Sequence, residues 1–571
     1  MTDDLNTTKP SIPALPILRR QLAEDSRAQP LVLRLQLLDG SRKDLPCPLP
    51  LWDPHLSEKV LEYTIFNLLS VYSGRELCIF LDPKVPELMS LFDGLATHFQ
   101  LASPRRGGLG KVISIAHRLN RSLGHDAFSF RWEDIRLYSP LPAPTAAQDT
   151  DLCAKLQALA AQGNRGNLIG IDIGGTDIKL AASRNGELKC IKEFDWDPSR
   201  STRAEEILEP ILLLLRLMRA CLSVSETPLP TPLIRALRRK AGLEEIRDAV
   251  FQAEAALGSD IDCLDGVGIS FPDIVIQNRI LGGETPKTKG LRENPEISYE
   301  TEFAKLSELR RDVLQLCRKG AVCRICNDGN MAAFTAAIEL ALGDLPEQVR
   351  RGVVAHTLGT DLGTGWLLDT GAVPQIPLEL YDLLLDLSED GPFLYPPEDL
   401  RSTRNENSGL AGVRRYLGQA AAFRLAWELE PALLRDFVTE QDGILTITKE
   451  PQDLRKACLE HLMLLAEQRV PSAEEIFRRI GEHLALVCME MDTLLTPEPS
   501  NRYLFGRFVK SPHCFALICQ GFRRLEPNLR LLAADEGLAN TPLMKQLSCR
   551  TDATVAQFGQ AVGAIYFANT K

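Results

Sequence analysis

The stretch Asn167-Leu168-Ile169-Gly170-Ile171-Asp172-Ile173-Gly174-Gly175-Thr176-Asp177-Ile178-Lys179-Leu180 decides how this chain is read. Leu168 to Ile173 is a short apolar run, Gly174-Gly175-Thr176 interrupts it, and a second strand-like run follows at once. This predicts a β-hairpin with glycines in its turn and an acid, Asp172, at the tip of its first strand. Residues without side chains let the backbone approach a ligand and offer N–H groups to an anion. A carboxylate beside such a turn suits a hydrated Mg²⁺ that travels with nucleotide phosphates. An ordinary tight hairpin has the same local pattern, so the rest of the chain must separate the two readings.

Outward from the hairpin, Leu188–Phe194 reads as a third strand and Arg203–Val224 and Leu243–Leu257 as helices, parted by a Pro-rich insertion at Thr227–Pro232. Val267–Ser270 is a buried-strand pattern feeding Phe271-Pro272-Asp273. Glu302–Cys317 reads as one helix and Ala321–Cys326 as a strand, and Asn327-Asp328-Gly329-Asn330 leads into an Ala-rich helix to Leu342. Arg351–Leu358 and Trp366–Asp369 are strand patterns around a second glycine-rich turn, Gly359–Gly365. Asp172-x-Gly174-x-Thr176 and Asp361-x-Gly363-x-Gly365 share the form acid-x-Gly-x-small, about 190 residues apart. The echo is that of a duplicated domain with one phosphate hairpin per lobe.

At 571 residues the chain has room for three or more domains, and 44% hydrophobic with 25% charged residues is ordinary globular composition. A net charge of −11 argues against a general nucleic-acid coat. The N-terminus, Met-Thr-Asp-Asp-Leu-Asn, lacks signal-peptide features, and the apolar run Ile207–Val224 is broken by Glu209, Pro210, Arg216 and Arg219, so no membrane span is expected. Fourteen cysteines without framework spacing point to reduced thiols and a cytoplasmic location. Cys323 and Cys326 have no second pair nearby and read as strand residues rather than zinc ligands. The first thirty residues read as a loose arm with a short helix near Ile17–Glu24. Leu31–Leu38, Asp44–Leu49 and Glu76–Leu81 read as strands, and Leu56–Val71 and Val85–Phe99 as helices. Ser103–Arg121 carries five basic residues around Gly107–Gly110 but fails the Walker A spacing, since Arg105 and Val112 stand where Gly and Ser or Thr are needed. It is expected to be a solvated basic loop. Pro140–Gln148 reads as a linker and Asp151–Gln162 as a connecting helix.

With both turns and the Asn-Asp segment in hand, residues 167 to 568 resemble the ROK family of sugar kinases and sugar-responsive repressors, within the hexokinase/actin-like superfamily. Asp172–Lys179 resembles the family's first phosphate motif, Asn327–Ala333 the segment whose aspartate is the base, and Thr357–Gly365 the second phosphate motif. Tyr503–Gly506 resembles the adenosine turn and Phe558–Ala564 the closing helix. Three departures concern the sugar: Glu379-Leu380-Tyr381-Asp382 replaces Glu-x-Gly-His, Phe271 stands for a loop glycine, and the zinc motif is missing.

The resemblance implies an α/β fold, a two-lobed actin-like (ribonuclease H-like) ATPase with an extra N-terminal α/β or α+β module. Its divisions are 1–144 for the module, 145–165 for linker and helix, 166–342 for the first lobe, and 343–571 for the second with an insertion near 383–475. It implies transfer of the γ-phosphate of ATP, with Mg²⁺, to a hydroxyl of a hexose or related sugar. Asp328 would be the base, although a helix N-cap is the competing reading of that residue. Gly174, Gly175, Thr176, Gly359, Thr360, Gly363 and Gly506 would contact the nucleotide, Asn327 and Glu379 the sugar, and Asp172 the metal. Lys179 reaches phosphate or is solvated, Asp361 points inward or caps its turn, Glu379 binds sugar or is a surface acid, and His356 is a buried structural residue. The alternative is a non-catalytic sugar- or nucleotide-sensing regulator or scaffold. Small-molecule partners are expected rather than nucleic acid or membrane, and the oligomeric state stays open, a homodimer included.

Overall fold

The computed structural model describes residues 11–100, 107–142, 151–162, 165–224, 228–282, 286–388, 394–405, 408–449, 452–533 and 538–570. The linker expected beyond Pro142, and Arg105 and Arg106 of the basic segment, lie outside them. The described residues divide into two compact units: one from Met1–Ala146, His356–Thr364 and Leu378–Ala533, the other from Ala147–Ala355, Gly365–Pro377 and Ala534–Lys571.

In the first unit Leu15–Glu24 (α1) precedes Val32–Gln36 (β1) and Arg42–Pro46 (β2), an antiparallel pair. Glu76–Leu81 (β3) runs antiparallel on the other side of β1, and Ser129–Asp134 (β4) is parallel to β3, giving the order β2-β1-β3-β4. Pro54–Tyr72 (α2) starts at Asp53, whose carboxylate accepts the Leu56 N–H at 3.0 Å, with Pro54 in the first turn. From Tyr63 to Tyr72 every residue of α2 is buried, which makes it an internal helix of its unit. Pro86–His98 (α3) is thinner, burying only Leu88 and Leu95.

Of the basic segment Ser103–Arg121, the described part from Gly107 is not a solvated loop. Gly110–Ser122 is helix α4, with Lys111 1% and Arg118 4% exposed. Lys111 Nζ lies 2.5 Å from Asp382 Oδ2, and Asn405 donates to the other Asp382 oxygen at 3.3 Å. A buried ammonium is tolerated only with such a partner.

The second unit carries the five-stranded sheet. Asn167–Ile173 (β5), Asp177–Arg184 (β6) and Glu187–Asp195 (β7) form an antiparallel meander. Leu264–Phe271 (β8) joins β5 in parallel, and Cys317–Asn327 (β9) joins β8 in parallel. The resulting order, β7-β6-β5-β8-β9, is the ribonuclease H-like arrangement of actin-like ATPases. Glu302–Cys317 is not one helix: Tyr299–Leu306 and Leu309–Leu314 are separate, and Cys317 already pairs with Leu264. On one sheet face Ile169, Ile171 and Leu180 pack with Ile207, Ile211 and Leu214 of the helix Glu205–Ser223. Asp328–Ala341 (α5) follows β9 directly.

Val353–Leu358 (β10) and Leu362–Leu367 (β11) flank the second glycine-rich turn. Pro471–Leu495 (α6) ties the N-terminal helices into the first unit: Arg19 donates to Glu490 at 2.7 Å and to Thr64 at 2.9 Å, and Asn67 donates to Glu490 at 2.9 Å. Asn501–Gly506 (β12) runs parallel to Arg530–Ala533 (β13), in a sheet ordered β11-β10-β12-β13.

Val555–Phe567 (α7) returns to the second unit and lies on the other face of its sheet. Gly170 and Gly268 oppose each other on β5 and β8, and a Cβ at either would stand 1.9 and 1.8 Å from the Ala561 and Ala564 carbonyl oxygens. Only glycine permits that approach. Among the described residues no helix is long and apolar enough to cross a membrane.

Candidate active site

Parallel pairing aligns the C-terminal ends of β5, β8 and β9: Asp172 opposes Ser270, and Ser270 opposes Cys326, the neighbour of Asn327 and Asp328. The order in which these ends fall side by side follows from the sheet and not from proximity in sequence. Ser270 Oγ donates to Asp172 Oδ1 at 2.8 Å and accepts from Gln560 Nε2 of α7 at 3.0 Å. The same Gln560 amide donates to the Asp328 carbonyl at 2.8 Å. One amide therefore holds the positions of two strand ends.

Burial pushes the Asp172 carboxyl up to about 6; the Ser270 hydroxyl and Lys179 oppose that, while Asp328 and Asp177 add to it. The N-cap of α5 is Asn327, whose Oδ1 accepts the Gly329 N–H at 2.9 Å. Asn327 Nδ2 donates to the Asp273 carbonyl at 3.0 Å, so both ends of this amide are engaged by its own unit. Asp328 also accepts from Gly329 N at 2.9 Å but leaves its side chain 43% exposed, facing Lys287 Nζ at 3.7 Å. Asn330 braces the start of the helix by accepting the Trp366 N–H at 3.0 Å.

In the first turn, Gly174 N–H donates to Asp177 O at 2.8 Å and closes the hairpin, and Trp196 Nε1 donates to Gly174 O at 3.0 Å. A Cβ at Gly174 would meet Asp177 O at 2.9 Å, so glycine serves the turn itself. Gly175 lies under Lys287, whose Cε would be 3.2 Å from a Cβ there, and Thr176 is exposed. Lys179 is drawn to Asp177 at 2.5 Å. The charges of Lys179, Asp328 and Asp177 are all felt at Asp172, and Lys287 faces Asp328. Carboxylate oxygens such as those of Asp172 and Asp328 are the donor type that a hard divalent cation such as Mg²⁺ takes.

In the first unit, Asp361 is ion-paired with Arg414 at 2.7 Å, a partner neither sequence reading supplied. Gly359 N–H donates to Asp361 O at 3.1 Å, and a Cβ at Gly359 would meet nothing within 4 Å. The Thr360 carbonyl lies against Gly418, where a Cβ would be 2.7 Å away. Gly506 takes φ +102° with Leu358 O where its Cβ would be, so this turn accepts only glycine. Gly363 has ordinary room beside Thr357. Glu379 is 7% exposed, its N–H donating to Ser70 O at 3.2 Å, which removes the surface-acid reading. His356 is fully buried, its ring bonded to Thr364 at 3.0 Å and its pKa depressed to about 3 by burial and then Arg502. Phe271, in the sugar-loop position, packs into the core. Cys323 and Cys326 are buried on β9, their thiols pushed up by burial, Cys323 to about 12.

Ser270, Gln560 and Lys287 were given no role from sequence. Ser270 and Gln560 lie inside recognisable motifs, so strand register could have pointed to them; Lys287 sits in the short 3₁₀ turn Pro286–Thr288, which carries no such motif.

No family model and no curated protein matches the chain. Among solved structures it is similar to a ROK family glucokinase from Streptomyces griseus in complex with glucose and AMPPNP, at 19% identity over 71% of this chain and 99% of that one, with TM-score 0.38. It is also similar to a ROK hexokinase from Thermus thermophilus, at 16% identity over 69% of this chain and 97% of that one, with TM-score 0.37. A third is a ROK family transcriptional regulator, a homolog of the E. coli MLC protein, at 16% identity over 71% and 82%, with TM-score 0.38.

Proposed function

We propose that the chain is an ATP-dependent carbohydrate kinase in which Asp328 is the general base. The observation that carries this is the division of labour at the end of β9: Asn327 caps the helix, which leaves the Asp328 carboxylate solvent-facing beside Lys287. Phosphoryl transfer needs positioning and charge compensation more than covalent chemistry. Asp328 would accept the proton of the attacking sugar hydroxyl. Lys287, lying across Gly175, would meet negative charge arriving at the turn. Thr176 and Gly175 are the proposed phosphate contacts, and Gly359, Thr360, Gly363 and Gly506 are proposed nucleotide contacts. Asp172, with Asp328 nearby, would hold Mg²⁺, which supplies charge neutralisation of the phosphates when bound. Gln560 and Ser270 keep the two carboxylate-bearing strand ends in place.

The test is turnover of a hexose panel with Mg-ATP. Asp328→Asn should lower kcat by roughly 10²–10⁴-fold while nucleotide affinity holds. A folded protein that binds ATP but phosphorylates no sugar sinks the proposal.

A second reading, a sensing or scaffolding protein, is favoured by one region. In the segment resembling the sugar grip, Glu379 is buried and Asp382 is committed to Lys111 of α4. Sugar binding by calorimetry without turnover would select it.

A further inference from the structure

On α2, Glu58 and Glu62 stand one turn apart on a single face. His98, the last residue of α3, meets both: its Nδ1 lies 2.5 Å from Glu62 Oε1 and 3.5 Å from Glu58 Oε1. All three ligand atoms fall within 4.8 Å of one another. His55 is one turn earlier on the same face and acts electrostatically on Glu62.

Hydrogen bonding alone accounts poorly for this arrangement. One Nδ1–H serves one carboxylate, yet two glutamates converge on it, and like charges four residues apart on a helix repel. Lys59, the neighbouring cation, is directed elsewhere, to the Leu387 and Ser388 carbonyls at 3.1 and 3.2 Å. Glu62 is only 15% exposed, so its charge is poorly shared with water.

The geometry points to a divalent transition-metal site of the zinc class, formed by Glu58, Glu62 and His98. Zinc holds N and O ligands at about 2.0–2.2 Å, which sets ligands roughly 3.4 Å apart at the tetrahedral angle. Glu58 already stands 3.5 Å from the imidazole nitrogen, and Glu62 needs to move out by about one ångström. The ion would neutralise the glutamate pair and clamp α3, which buries only two of its own side chains, onto α2. The site lies outside the proposed kinase residues and is independent of that reading.

The test uses the full chain, stripped with a chelator and titrated with Zn²⁺ and, as a spectroscopic probe, Co²⁺. One saturable equivalent is expected, with Co²⁺ d–d bands free of the near-ultraviolet charge transfer that thiolate ligation gives. Hydrogen exchange across residues 86–98 should slow on Zn²⁺ addition. Glu58→Gln, Glu62→Gln and His98→Ala should each weaken affinity by at least the roughly tenfold that loss of an outer-shell partner costs. Glu58 is 41% exposed, so Glu58→Gln keeps the test usable if a more buried substitution misfolds. A thiolate signature, binding unchanged in all three variants, or no saturable binding would each overturn the proposal.

Discussion

Asp172→Asn should stabilise this protein above pH 6 while weakening its response to Mg²⁺. The carboxyl has an ordinary value of 3.8 and is held at about 6, chiefly by burial. That rise corresponds to roughly 3 kcal/mol in favour of the neutral form, at about 1.4 kcal/mol per tenfold change. The sign follows from proton uptake: between pH 4 and 6 the folded state holds a proton that the unfolded state has released, so the Asp172 contribution to stability falls as pH rises through this window. Below it both states are neutral there, and above it the full cost applies. Asparagine carries no charge, and its Oδ1 can still accept from Ser270. The gain should therefore approach 3 kcal/mol at pH 7.5 and vanish near pH 4. At roughly 2 °C per kcal/mol for a unit of this size, the melting temperature should rise by about 4–6 °C at pH 7.5. Paired thermal melts from pH 4 to 8, with and without Mg²⁺, read both halves of the argument. Millimolar Mg²⁺ should raise the melting temperature of the parent and leave the variant unmoved. A variant less stable at pH 7.5, or a difference that does not change with pH, would refute the reasoning.

Gly268→Ala should cost about 3 kcal/mol or more, because its Cβ would meet backbone rather than a movable side chain; chemical denaturation against the parent measures it. Gly359→Ala makes the opposite case, since the added methyl meets nothing within 4 Å. Stability should stay within about 0.5 kcal/mol, and a loss of ATP affinity in calorimetry would then reflect the turn's own role. Glu490→Gln should cost about 3 kcal/mol or more by leaving Arg19, whose side chain is 7% exposed, charged and unpaired; the double variant Arg19→Met, Glu490→Leu should recover most of that in the same unfolding assay.

What could be read from sequence was local. The hairpin from Asn167 to Leu180 is marked by two apolar runs and a glycine turn, and it forms with Asp172 at the end of its first strand. The boundary at Asn327-Asp328 is likewise marked by an apolar strand meeting an alanine-rich helix, but which residue caps and which faces solvent was not, because both side chains suit either place. Lys111 shows the limit more plainly. A basic residue beside glycines has every local sign of solvation, and its burial depends on Asp382, 271 positions away. Asp361 was unreadable for the same reason, its partner Arg414 lying in a distant stretch without any motif. Glu302–Cys317 has the polarity of one helix, yet the chain breaks between Leu306 and Leu309 and Cys317 is already paired in the sheet.

The paired glycines Gly170 and Gly268 also set an order of events during synthesis. They leave one face of the five-stranded sheet flat, and that face is covered by Val555–Phe567. The strands themselves are complete by Asn327, more than two hundred residues earlier in translation. Through that interval a nascent sheet keeps an apolar surface uncovered, a state that invites chaperone capture or aggregation. The same helix brings Gln560, so the strand ends bearing Asp172 and Asp328 are locked only when the sheet is sealed. Premature termination anywhere in the intervening stretch would yield a chain with all its carboxylates but without the Gln560 amide that braces their strand ends.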